Sequence, residues 1–128
     1  MVQQSVQTAQ FFQANTLSHV AIPNIPGVAI GIVAGDRLMV VHGYVEPGAT
    51  LPLHSHPHEQ ITYVLDGMAY LQIGNEGRDL YPGEGAIVPG GHTHGIVRVG
   101  PQGCTILEVN TPLREEYLPL MRQAVPQP

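Results

Sequence analysis

The chain has 128 residues, enough for one domain whose single core must serve both fold and site. Its formal charge is −5, and its five basic residues are arginines scattered at positions 37, 78, 98, 114 and 122. No basic stripe can follow a phosphate backbone, so nucleic acid is not an expected partner. The absence of lysine excludes Schiff-base chemistry and a P-loop.

Residues 1–26 are glutamine-rich, then punctuated by Pro23 and Pro26, and read as an N-terminal arm. They lack a cationic start and an apolar run of secretory length, and no later segment approaches a membrane span. A cytoplasmic protein without a membrane partner is expected. Residues 27–111 carry short β-rich runs at 28–33, 38–46, 50–56, 60–65, 69–73, 86–88, 94–99 and 104–110, the spacing of a sandwich or barrel. Gly35-Asp36, Asp66-Gly67, Gly74-Asn75-Glu76-Gly77 and Pro82-Gly83 supply turn chemistry, and Asp66-Gly67 between apolar runs predicts a two-residue hairpin. Cys104 is the sole cysteine and lies in an apolar run, which predicts a buried core thiol. Residues 112–128 predict a short helix and tail, with Thr111 as cap, Pro112 at the first helical position and Pro119 as stop.

Chemistry concentrates in Gly48-Ala-Thr-Leu-Pro-Leu-His54-Ser-His56-Pro-His-Glu-Gln60. Side chains two apart on a strand share a face, so His54 and His56 point the same way. The Pro57-His58-Glu59 corner can then bring Gln60 to the same pocket, and Gly83-Glu-Gly-Ala-Ile-Val-Pro89-Gly-Gly91-His-Thr-His94 can supply a fourth ligand. The spacing favours Gln60 over Glu59, although one residue of slippage would exchange them. His58 and His92 read as rim residues and His19 as part of the arm. His42 either lines the cavity or faces solvent.

These two segments resemble the first and second cupin motifs. Glycine, five residues, His-x-His, three residues, an oxygen ligand, six residues and glycine is the first; glycine, five residues, Pro-x-Gly, two residues and histidine is the second. The resemblance covers residues 28–110 and implies an all-β double-stranded β-helix, the jelly-roll cupin barrel, forming a homodimer. Gln60 stands where most cupins have glutamate, and Arg98 where many have asparagine. Including Leu107-Glu-Val-Asn-Thr-Pro-Leu-Arg-Glu-Glu-Tyr-Leu118, the chain looks like the small pectin-degradation cupins, which open the rings of unsaturated uronates.

That resemblance implies one divalent transition metal ion (Mn, Fe, Ni, Zn or Cu) on His54, His56, Gln60 and His94, and a catalytic set at Glu108, Asn110 and Arg114. Glu108 and Asn110 share a strand face. The carboxylate would move a proton, and Arg114 would clamp the carboxylate of a small anionic substrate. Asn110 replaces the aromatic platform that packs a sugar ring. Glu108 and Arg114 could instead form a structural ion pair, and Arg98 could be a second anion contact or exposed. The expected activity is Lewis-acid and acid/base catalysis, as isomerisation, ring opening or lyase chemistry, on a small carboxylated sugar or related acid. A small dioxygenase using Fe or Mn and a non-catalytic metabolite-binding module are the alternatives.

Overall fold

A computed structural model of the protein describes residues 8–123. Eight strands form it: β1 (Val20–Ile22), β2 (Ile25–Ala34), β3 (Met39–Val45), β4 (Leu51–His54), β5 (Glu59–Ile73), β6 (Glu76–Leu80), β7 (Gly85–Val88) and β8 (His94–Thr111). A short helix, α1 (Leu118–Gln123), follows a 3₁₀ turn over Glu115–Tyr117. All pairings are antiparallel, in the order β1-β2-β3-β8-β5-β6, with β4 on β8 and β7 on β5. This is the expected double-stranded β-helix with a short C-terminal helix.

Three expectations change. Asp66-Gly67 does not reverse the chain: β5 runs straight through it, with Asp66 opposite Thr105 and Gly67 opposite Cys104. Gly67 has φ 76°, and a side chain there would meet the Gly103 carbonyl, itself at a residue with φ 80°. Two glycines thus let the long strands bend around each other, so the residue suited to a tight turn makes a bulge instead. The predicted runs at 60–65 and 69–73 are therefore one strand, and so are those at 94–99 and 104–110. Strand pairing begins inside the stretch read as arm: β1 and β2 join through Pro23-Asn24, with Asn24 at φ 66°.

The third concerns the helix. Thr111 stays in β8 and its hydroxyl donates to the Arg37 carbonyl at 2.9 Å, so it caps nothing. Pro119 sits in the first turn of α1, where a missing N–H costs no hydrogen bond, and so starts the helix rather than ending it. Leu120 of α1 is buried with Val28, Ile30, Met39, Val41 and Val45 in one apolar cluster. A second cluster includes Val64, Leu71, Ile96, Cys104 and Ile106. Burial pushes the Cys104 thiol up to about 11, as a core thiol requires.

The inner face changes character along the paired strands β5 and β8. Val64 faces Ile106 in the apolar core, the next rung pairs Thr62 with Glu108, and the one after pairs Gln60 with Asn110. Alternation thus puts a row of buried polar groups at one end of the barrel, and the site is built there.

Candidate metal centre

His54 ends β4 directly opposite His94, the first residue of β8. His56 lies just beyond β4, in a loop fixed by the hydrogen bond from Gly91 N–H to the His56 carbonyl at 2.8 Å. The backbone of Gly90 meets the Pro57 carbonyl so closely that a side chain there would collide, which is how the two motifs come together. The ring centroids of His54 and His94 are 4.4 Å apart, and those of His56 and His94 4.8 Å. One nitrogen from each of the three imidazoles lies within 4.8 Å of the others.

The tautomers suit an ion. Nδ1 of His54 donates to the Pro52 carbonyl at 2.8 Å and Nδ1 of His94 to the His92 carbonyl at 2.9 Å, leaving both Nε2 lone pairs free. His94 Nε2 is buried without a hydrogen-bond partner, an orphan that a metal ion would satisfy. Burial, then the charge of Arg114, then that of His94, lowers the His56 pKa to about 4; burial also lowers that of His94. Both imidazoles are therefore neutral and able to ligate near pH 7.

Gln60 is buried and turned toward the histidines, with Oε1 3.0 Å from His56 Nε2 and its amide donating to Thr62 Oγ1 at 2.8 Å. Glu59 faces solvent, because adjacent residues of a strand point to opposite sides. The residues present thus fit a divalent ion held by three imidazoles and an amide oxygen.

Behind this cluster lies a cavity of about 20 Å³, lined among others by His54, Gln60, His94, Glu108, Arg114 and Tyr117. That is room for one water molecule. Glu108 is 8% exposed, and burial raises its pKa while Arg114 partly offsets the rise. Arg114 forms its ion pair with Glu116, not with Glu108: Nε is 3.3 Å from Oε1, and Nη2 donates to Oε2 at 3.3 Å. Its Nη1 donates to Asn110 Oδ1 at 3.5 Å, and its guanidinium stacks 4.5 Å from the Tyr117 ring centroid. Asn110 shares the inner face with Glu108 as expected, but it is fully buried and holds the arginine.

The remaining candidates lie elsewhere. Arg98 is on the outer surface, paired with Asp79 at 3.0 Å and stacked on Tyr70. A register shift pairs Tyr70 with Arg98 but Leu71 with Ile96, so Val97 bulges and reverses the parity that would have turned Arg98 inward. His92 is exposed, and His58 donates from Nε2 to the Leu113 carbonyl at 3.1 Å, tying the first motif to the segment that carries Arg114. His42 neither lines the cavity nor stands free in solvent: its Nδ1 is 2.9 Å from Nε2 of His19, half-buried on the outer face of β3. Sequence reasoning missed Tyr117 and Glu116, whose one available signal was proximity to Arg114 on a short C-terminal turn.

Comparison with known proteins agrees with this arrangement. The cupin domain model matches residues 41–110. The structure of KdgF from Halomonas sp. is similar at 30% identity and TM-score 0.78, covering 87% of this chain and 100% of that one. An RmlC-like cupin from Shewanella frigidimarina follows at 25% identity and TM-score 0.76, covering 88% of this chain and 98% of that one. A curated relative, dimethylsulfoniopropionate lyase DddQ of Ruegeria pomeroyi, is 38% identical over 65 residues, which are 50% of this chain and 32% of DddQ. The chain thus matches about a third of the length of that relative. With the motif residues converging as described and the family model spanning more than half of the sequence, the chain belongs to the cupin domain family.

Proposed function

We propose that the protein is a metal-dependent enzyme acting on a small carboxylated sugar or related acid, by isomerisation, ring opening or lyase-type proton transfer. One observation carries this reading: Glu108 is a buried carboxyl with a raised pKa on the wall of the cavity that His54, His94 and Arg114 also line. A carboxyl moved toward neutrality by burial is suited to take up and return a proton. The likeness to the small pectin-degradation cupins and to KdgF supports the ring-opening end of the range. The curated relative named as a lyase supports the other.

A divalent transition metal ion on His54, His56, Gln60 and His94 would supply Lewis acidity, and four neutral ligands would leave it nearly its full charge. The chain's own residues supply the rest. Arg114 has more N–H donors than Asn110 and Glu116 use, so it can also bind a substrate carboxylate. Asn110, Glu116 and the Tyr117 ring fix the guanidinium plane before substrate arrives. Glu108 takes the proton from the carbon beside the bound carboxylate and returns it to the product. The space left beside Glu108 holds about one water molecule, so little solvent competes for that proton. Exposed His54 leaves the cluster open to solvent at one side for substrate entry.

We infer in addition that two copies pair through the outer face of β7, β5 and β8. There Ile87, Ile61 and Val109 form one apolar rung, with Ile87 65% and Ile61 47% exposed.

The test of the enzymatic reading is to incubate metal-loaded protein with unsaturated uronates from pectin and alginate lyase digests and follow enone absorbance. Loss of absorbance is expected. Absence of turnover on every one of them would remove that substrate class.

A further inference from the structure

One hydroxyl-bearing residue of the cavity wall lies beyond both motifs, Tyr117. It sits on the 3₁₀ turn between β8 and α1. Arg114 stacks on its ring, which packs against the apolar cluster of Met39, Val41 and Leu120. Glu108 and Arg114 line the same cavity, and the charges of both act on the phenol. Arg114 directs its hydrogen bonds to Asn110 and Glu116, so the phenol proton remains free to be donated. Burial, then the Glu108 charge, pushes the phenol up to about 12, so that proton is present throughout the neutral range. A phenylalanine would serve the packing against this cluster equally well. The hydroxyl adds nothing to that packing and is available to a ligand in the cavity.

We propose that Tyr117 is a further catalytic residue of this site, donating a hydrogen bond from its hydroxyl to a substrate oxygen held between Arg114 and the histidine cluster. The inference rests on the acid/base reading above. As the substrate C–H bond breaks, the proton forms an O–H bond on Glu108 and the electron pair moves onto the substrate oxygen. The Tyr117 O–H stabilises the charge growing there, and no bond to Tyr117 is made or broken.

The test uses Tyr117→Phe, which keeps the ring and its packing. Cobalt-loaded protein is titrated with acetate, and binding is read from the visible spectrum, which requires no turnover. Acetate should bind the wild type and bind Tyr117→Phe about tenfold more weakly, equivalent to about 1.4 kcal/mol, with melting temperature and metal content unchanged. Equal affinity in the two proteins, or no acetate binding to the wild type, overturns the proposal. If the acetate difference holds but no uronate turns over, the substrate reading fails and the hydrogen bond from Tyr117 to a bound ligand oxygen stands. Where a uronate does turn over, Tyr117→Phe should lower kcat about tenfold or more at unchanged metal affinity, and an unaltered kcat would equally overturn the proposal.

Discussion

Replacing Glu108 by glutamine separates a catalytic carboxylate from a structural one. The two side chains have nearly the same shape, so the exchange removes charge and proton affinity while leaving packing in place. If Glu108 moves the proton, kcat should fall by roughly 10² to 10⁴, with little change in substrate affinity because Arg114 is untouched. Stability should move the other way. Burial raises the folded pKa above its ordinary value of 4.5, so the folded protein disfavours the carboxylate that neutral pH imposes. A group with a raised folded pKa contributes its stability below the unfolded pKa and loses it as pH rises through the folded value. Relief from an underpaired buried charge is at least about 1 kcal/mol, or about 3–4 °C in a domain of this size. Glu108→Gln should thus melt higher than the wild type at pH 7, and the gap should close as pH falls to about 4.5, where both side chains are neutral. Melting curves across this range, paired with uronate kinetics, test both halves. A lower melting temperature for Glu108→Gln at pH 7 would refute this by showing that the carboxylate stabilises the fold through Arg114.

Other consequences can be measured directly. Gln60→Ala should lower metal affinity by about 100-fold, whereas exposed Glu59→Ala should leave it unchanged; chelator competition with metal analysis decides, and loss only in Glu59→Ala would overturn the ligand assignment. The metal-free protein should lose stability as pH falls from about 6.5 toward 4, because burial lowers the folded pKa values of His56, to about 4, and of His94, while the unfolded chain protonates both near 6.5. Melts of chelator-treated protein should show this fall, and the slope should shrink in His56→Asn; a flat profile would count against these pKa shifts. Ile61→Glu combined with Ile87→Glu should shift sedimentation toward the monomer without lowering the melting temperature of the monomer, and an unchanged sedimentation coefficient would remove this face as the interface.

Much of the site is legible in the chain because parity and spacing are local. Side chains two apart on an extended backbone must converge, so His54 and His56 were identifiable together, and Gln60 rather than Glu59 had the parity to join them. The same alternation put Glu108 and Asn110 on one face. Sequence by itself also determined the fold class, since two interlocking motifs and regularly spaced short strands leave few architectures open. It failed where one residue type serves two geometries. Glycine at position 67 suits a hairpin or a bulge equally, and only the Gly103 carbonyl lying against it decided for the bulge. Parity projected Arg98 inward until the bulge at Val97 reversed it, and Pro119 could stop or start a helix until Leu120 found its place in the core. Tertiary structure alone brought Glu116 to Arg114 and Tyr117 into the cavity wall, because a short turn after the last strand has no periodicity from which its direction can be read. Local chain geometry therefore chose the residues that can bind an ion, and long-range packing chose those that surround it.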